Sequence, residues 1–148
     1  MRAVRSALVL GGLFNAVMGS CFVSDSLLQR FLDFAKAAEH TLFSRNATVM
    51  FPTDPVHLLL IHGFGAAALI LGATLIYSAR NPLQYLMFIF FDGLGRLMFG
   101  VMMVVYVFRY SLMATILVFA LIELTFAAVY LGFVLLSARK EPDEPSVS

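Results

Sequence analysis

Four long apolar runs divide the chain into segments of similar length. They cover residues 6–23, 56–79, 83–108 and 112–137. A helix needs about 20 residues to cross a hydrocarbon core of roughly 30 Å, and each run is near that length. None of the runs alternates like a strand of a membrane barrel, and in lipid the backbone must satisfy its own hydrogen bonds. The pattern therefore predicts four transmembrane helices.

The connections between the runs predict how these helices are arranged. Residues 80–82 separate the second run from the third, and residues 109–111 separate the third from the fourth. Links this short make consecutive helices antiparallel neighbours, so we expect an up-down four-helix transmembrane domain over residues 1–138. Residues 139–148 are polar and contain proline, which is typical of a disordered tail.

The long connection between the first two runs contains an amphipathic segment at about residues 25–43. Its apolar positions recur at helical spacing, and its polar positions, Glu39 among them, take the other side. Ser26 and Gln29 fit a capping box at its start. Such a helix lies in the membrane interface or caps the mouth of the bundle, unless it is a plain surface spacer. The predicted fold is all-α: a four-helix transmembrane bundle with an outer interfacial amphipathic helix.

Composition agrees with insertion into a membrane. Hydrophobic residues make up 61% of the 148 residues and charged residues 13%, whereas a soluble domain has about 45–50% and about 25%. So small a soluble domain keeps much of its surface wet, which argues against a water-soluble enzyme. The formal net charge is +1 and the basic residues are scattered, so nucleic acid is not an expected partner. The expected partners are the lipid bilayer and either a lipophilic small molecule or another membrane protein.

Basic residues at the ends of the runs predict the orientation. With the amino terminus inside, the inner side carries most of the arginine and lysine that lies close to the membrane. We therefore expect both termini in the cytoplasm and the amphipathic segment outside, in a plasma or inner membrane. The inner residues on this interpretation are Arg2, Arg5, Arg80, Arg139 and Lys140.

Each predicted span carries polar residues away from its ends: Asn15, His62, Asp92 with Arg96, and Glu123. A charge at the bilayer centre costs about 2.5–3.5 kcal/mol on insertion scales, so these groups are expected to face the bundle interior. Counted along the helices, Arg96 lies about 18 Å and Glu123 about 16 Å below the outer end. Asp92 shares a helix face with Arg96. We predict an Asp92–Arg96–Glu123 triad with the guanidinium in the middle and Asn15 beside it.

Two functions and one purely structural role fit this pattern. In the first, a membrane protein such as an accessory subunit binds a hydrophobic ligand or partner through the buried Asp92–Arg96–Glu123 site. Arg96, Asn15 and His62 are the expected ligand-binding residues. In the second, an intramembrane isomerase, cyclase or oxidase uses Glu123 or Asp92 as acid/base. Otherwise the triad is a clamp that fixes helix register. An open cavity of roughly a few hundred Å³ touching a carboxylate favours a ligand over a clamp.

No metal or cofactor site is expected from the sequence. His57 and His62 are five residues apart, so they do not form the i, i+4 pair that binds a metal on one helix face. Cys21 is the single cysteine, so no disulfide within the chain is expected, and no Cys–His spacing typical of a metal site is present. Gly93 and Gly95 lie inside a predicted helix with no preceding strand, which excludes a nucleotide-binding loop.

Small residues recur every four positions on the first two spans. On the first they are Ala7, Gly11 and Gly19, with Asn15 between them, and on the second Ala68 and Gly72 follow the same spacing. Such ridges let helix backbones approach closely.

The layout resembles the small four-helix membrane proteins called DoxX-like, including their BphX-like branch. The resemblance rests on one helix, a long outer amphipathic loop and three closely spaced helices. It also rests on the stretch FDGLGRLMFG at residues 91–100, which is similar to a glycine–arginine stretch on their third helix. It covers residues 6–137, and it implies an accessory subunit of a redox or catabolic system or a carrier of a small hydrophobic ligand. It assigns no catalytic residue.

Overall fold

The computed structural model describes residues 2–46 and 49–139. Within these ranges the chain is all-α, with five helices and no strand. The predicted disordered tail falls, from residue 140 onward, outside the described residues. The helices are α1 (Arg2–Phe22), α2 (Asp25–Phe43), α3 (Pro55–Ser78), α4 (Leu86–Tyr110) and α5 (Thr115–Ala138).

Helices α1, α3, α4 and α5 are long and apolar enough to cross a membrane, with 21 to 25 residues each. Most of their apolar surface faces outwards: Leu60, Ile70 and Met98, for example, are each about two-thirds exposed. A water-soluble monomer rarely leaves this much contiguous apolar surface exposed. The four apolar runs therefore form the helices that the sequence predicts.

Local chemistry fixes where α2 and α3 begin. The N-cap of α2 is Ser24, whose hydroxyl accepts a hydrogen bond from the Leu27 backbone N–H at 3.4 Å. The predicted capping box at Ser26 is therefore wrong by two positions. At the start of α3, Asp54 accepts from the His57 N–H at 3.0 Å, and Pro55 occupies the first turn, where its missing N–H costs nothing.

The four long helices form two closely packed pairs, α1 with α3 and α4 with α5. The link between α3 and α4 is short, but these two helices make few contacts within the described part of the chain. The short link thus places α3 beside α4 without packing the two helices closely along their length. A link fixes only one end of two helices, whereas close packing along their length depends on the residues that face each other.

Glycines allow the backbones of α1 and α3 to touch. A Cβ at Gly12 would lie 2.6 Å from the carbonyl oxygen of Gly72, and one at Gly19 would lie 2.7 Å from that of Gly65. We call these four glycines the glycine seam. Gly19 and Gly72 come from the predicted ridges, but Gly11 faces α5, where a Cβ would collide with the Tyr130 hydroxyl.

Helix α2 joins the two pairs at the end where α1 ends and α5 begins, opposite the described chain ends. It contacts α1 and α5 through a face that includes Leu28, Ala35 and Glu39. The prediction that Glu39 lies on the polar side is wrong, because this residue is only 2% exposed. Its carboxylate accepts hydrogen bonds from the backbone N–H groups of Ala114 (3.0 Å) and Thr115 (2.7 Å) and from the Thr115 hydroxyl (2.7 Å).

Glu39 therefore caps α5 from another helix, and α5 has no side-chain cap of its own. Burial acts to raise the pKa of the Glu39 carboxyl, but the hydrogen bonds from Thr115 and Ala114 outweigh burial. The pKa lies below its ordinary value of 4.5 as a result. An ionised carboxylate at a helix N-terminus also complements the helix dipole.

Candidate functional site

Arg96 is the centre of a buried polar cluster. Its Nε donates to Asp92 Oδ2 at 2.7 Å, and its Nη1 donates to Glu123 Oε2 at 2.6 Å. Its Nη2 donates to Asn15 Oδ1 at 2.9 Å and to the Gly11 carbonyl oxygen at 3.4 Å. The side chains of Arg96, Asp92 and Glu123 are 5%, 4% and 11% exposed. The structure thus brings together, around one guanidinium, three helices that the sequence leaves far apart.

The two carboxylates reach Arg96 for different reasons. Asp92 lies one helical turn before Arg96 on α4, so that pair needs no tertiary contact. Glu123 reaches Arg96 because α4 and α5 pack closely through Gly93 and Gly100, where an added Cβ would lie 3.1 Å from the Tyr130 Cβ and 2.8 Å from the Leu124 Cγ, respectively.

Two aromatic rings on α5 complete the surroundings of the guanidinium. The Arg96 Cζ lies 5.1 Å from the ring centroid of Phe126 and 5.6 Å from that of Tyr130, which is within range of a cation–π interaction. Tyr130 is fully buried, and its hydroxyl donates to the Ala7 carbonyl oxygen at 3.0 Å. The sequence analysis missed both rings, although they follow Glu123 at spacings of three and seven residues, on the same helix face.

A cavity of about 400 Å³, which we call the α2-side cavity, lies between the cluster and α2. Its wall is almost entirely apolar, and only Asn15 and Glu123 bring amide or carboxylate groups to it. Phe31 of α2 borders it at the end away from the cluster. The apolar lining includes Phe14, Met18, Phe22, Met102, Ile116 and Phe119.

A second cavity of about 390 Å³, the lateral cavity, lies between α3 and α4. It exists because these two helices pack loosely, and exposed residues such as Leu71 and Phe91 at its edge show that it opens sideways. Asp92, Arg96, Glu123 and Asn15 all line it. Gly95 does too, and a Cβ added there would meet nothing within 4 Å.

The two cavities meet at the polar cluster. Asn15 and Glu123 line both of them, as do Phe64 of α3 and Phe99 of α4. The Phe64 and Phe99 rings, whose centroids are 5.7 Å apart, make an aromatic contact across the space between α3 and α4. Glu123 is therefore the carboxylate that borders both cavities. Sequence reasoning missed this phenylalanine pair, because nothing in the spacing of the two residues relates them.

The cluster retains hydrogen-bonding capacity in two residues that line the lateral cavity. Arg96 uses Oδ2 of Asp92 and Oε2 of Glu123, whereas no hydrogen bond from a described residue reaches Asp92 Oδ1 or Glu123 Oε1. The guanidinium itself has little capacity left, since four of its N–H groups already have acceptors.

His62 is not brought to the cluster. It borders neither cavity, and its Nε2 lies 3.2 Å from Asp25 Oδ1 at the start of α2. That contact lacks the geometry of a hydrogen bond, so Nε2 is buried without a partner among the described residues. The interpretation of His62 as a ligand-binding residue therefore has no support from its position.

No group of three or more His, Cys, Asp or Glu side chains is arranged to hold a metal ion in residues 2–46 and 49–139. Comparisons with models of protein families, with curated proteins and with solved structures give no match to this chain. The resemblance to DoxX-like proteins therefore stays a prediction.

Proposed function

We propose that this chain is an integral membrane protein that binds a lipophilic small molecule between α3 and α4, with the polar group of that molecule against the Asp92–Arg96–Glu123 cluster. The observation that carries the proposal is the pair of apolar cavities, about 400 Å³ and about 390 Å³, that end on this cluster. Ligand sites are commonly of this size, mostly apolar, with a few converging polar groups.

A purely structural clamp accounts less well for this arrangement. A clamp stabilises helix register best when side chains fill the space around it, because buried polar groups are costly unless they are fully paired. Here the carboxylates keep free oxygens beside space that no described residue fills. The loosely packed side between α3 and α4 also gives a lipophilic molecule a route from the bilayer that avoids water.

Helix α2 completes the proposed arrangement as an outer interfacial helix. It bears exposed apolar side chains such as Phe34 and Leu42, both 63% exposed, beside a polar face. A helix of this kind is stabilised at the boundary between headgroups and acyl chains. In this position Phe31 and its neighbours would close the α2-side cavity against the aqueous phase, with both termini on the cytoplasmic side.

The proposal is tested by filling the lateral cavity. Gly95→Leu adds a side chain at the wall of this space, at a position where a Cβ meets nothing within 4 Å. Gly132→Leu is a matched control, because a Cβ there also meets nothing within 4 Å and Gly132 borders neither cavity. The proteins are purified in polymer-bounded membrane discs and analysed by native mass spectrometry. We expect a lipophilic adduct on the wild type and on Gly132→Leu that is lost from Gly95→Leu. The same adducts on all three proteins would contradict the proposal.

A second candidate function is an intramembrane enzyme that uses Glu123 or Asp92 as acid/base on a lipophilic substrate. The observation that favours it is that both carboxylates border the lateral cavity, each with one oxygen not used by Arg96. A general acid or base must reach its substrate in this way. Once the adduct is identified, its conversion is measured in wild type and in Glu123→Gln and Asp92→Asn. Equal turnover in all three excludes the acid/base role.

A further inference from the structure

We infer that the polar group of the ligand is a hydrogen-bond donor with a positive charge, such as the ammonium group of a long-chain amine, and not a carboxylate or phosphate. This inference rests on the proposed function and names the chemical class of its ligand.

The first argument comes from the donors of Arg96. A guanidinium has five N–H groups. Four are directed at Asp92, Glu123, Asn15 and Gly11, and the cation–π contacts with Phe126 and Tyr130 occupy the guanidinium further. An anionic ligand would find only one N–H without an acceptor, and a paired contact would require it to displace Asn15 and Gly11 or one of the two buried carboxylates. Displacing a carboxylate is strongly unfavourable, because it leaves that charge buried without a partner.

The second argument comes from the acceptors. The oxygens that Arg96 does not use, Glu123 Oε1 and Asp92 Oδ1, belong to residues that both line the lateral cavity. The side chain of Asp92 is only 4% exposed, so little solvent reaches it from elsewhere. Carboxylate oxygens accept hydrogen bonds only, and they bind N–H groups of cations more strongly than neutral donors. The cavity wall is therefore complementary to a donor.

The third argument is the charge balance. Two carboxylates face one guanidinium, so the three side chains carry one excess negative charge when both acids are ionised. An unbalanced charge in a low-dielectric environment is costly. An ammonium group neutralises it, whereas an anionic group would raise the excess to two negative charges.

The experiment compares probes that share one alkyl chain and differ in head group. Full-length protein is placed in discs of phosphatidylcholine, and empty discs measure partition into lipid. Labelled dodecylamine is displaced with unlabelled dodecylamine, dodecanol or dodecanoate. We expect saturable binding of the amine, with dodecanol at least tenfold weaker and dodecanoate weaker still. In Glu123→Gln the preference of amine over alcohol should fall from at least tenfold, which corresponds to about 1.4 kcal/mol, to less than about threefold, because the negative charge that favours the amine is removed.

The outcomes separate this inference from the proposed function. If dodecanoate displaces best, or if alcohol and amine are equal, the cavity binds lipophilic molecules but the inference about charge is wrong. If no probe binds above empty discs, the proposed function itself fails. Because Glu123→Gln perturbs the cluster, Gly95→Leu is measured beside Gly132→Leu. Loss of amine binding in the first and retention in the second place the amine in the lateral cavity, and retention in both contradicts the inference.

Discussion

Helix α3 makes two contacts of opposite character, a tight one with α1 and a loose one with α4. Towards α1 it presents Gly65 and Gly72, whose backbones touch those of Gly19 and Gly12. Towards α4 it presents Phe64, whose ring meets Phe99 and leaves cavities on either side. Small residues allow long, continuous contact between helix backbones, whereas large rings hold helices apart at a few points. The difference teaches that residue size, and not the length of the connection, determines which helices pack closely.

The largest effect is expected when leucine replaces a glycine at the tight contact, and it is compared with the same replacement at the loose contact. In Gly72→Leu the new Cβ would lie 2.7 Å from the Gly12 carbonyl oxygen and 3.1 Å from the Ala16 nitrogen, so the backbone of α1 must move. We expect near-complete loss of folded protein. Gly95→Leu should fold like wild type, because its Cβ meets nothing within 4 Å.

The measurement is the monodisperse fraction after membrane extraction and size-exclusion chromatography. Both substitutions replace glycine by leucine within a helix, so both raise helix propensity by a similar amount and the difference isolates packing. Equal yields of the two variants would show that the glycine seam does not hold α1 and α3 together.

The second largest effect, on the free energy of unfolding, is expected from changes in the Asp92–Arg96–Glu123 cluster. Arg96→Ala leaves Asp92 and Glu123 buried without their partner, and we expect a loss of about 3–5 kcal/mol in the free energy of unfolding. Arg109→Ala should cost far less, because the only contact found for its side chain in the described residues is a cation–π interaction with Tyr110 on the exposed surface.

Thermal unfolding in detergent compares the two arginine variants with wild type. A further variant combines Arg96→Met with Asp92→Asn and Glu123→Gln, which removes all three charges. It should regain much of the stability lost in Arg96→Ala, since the cost arises from unpaired charge. If both arginine variants melt at the same temperature, the cluster does not join the helices.

The smallest effect concerns α2, which joins the two helix pairs. Glu39→Gln replaces the carboxylate that caps α5, and we expect a loss of about 0.5–2 kcal/mol near neutral pH. The folded-state pKa of Glu39 lies below 4.5, so its ionised form stabilises the fold above that pH. This contribution is lost as the pH falls from 4.5 through the lower folded-state pKa.

The melting temperatures of wild type and Glu39→Gln should therefore converge as the pH falls below 4.5. Asp33→Asn, on the exposed face of the same helix, serves as the control for a general loss of negative charge on α2. A difference between wild type and Glu39→Gln that does not change with pH would contradict an ionised cap.

The helices and part of the site were predictable from the amino-acid sequence. The lengths of the long helices followed from the apolar runs, because the number of consecutive apolar residues can be compared directly with the number that a helix needs to cross a bilayer. The association of Asp92, Arg96 and Glu123 was also predictable. Helix periodicity places Asp92 and Arg96 on one face of a helix, and helix rise places Arg96 and Glu123 at a similar depth on neighbouring helices.

Which helices pack closely, and where space remains between them, could not be predicted from the sequence. The loose contact between α3 and α4, the burial of Glu39 against α5, and the position of His62 next to Asp25 all depend on how helices rotate against each other. Rotation is set by the sum of many side-chain contacts between residues distant in sequence, and no local pattern encodes that sum. The cavities have the same origin, because they are the volume left between helices after α1 has packed on α3 and α4 on α5.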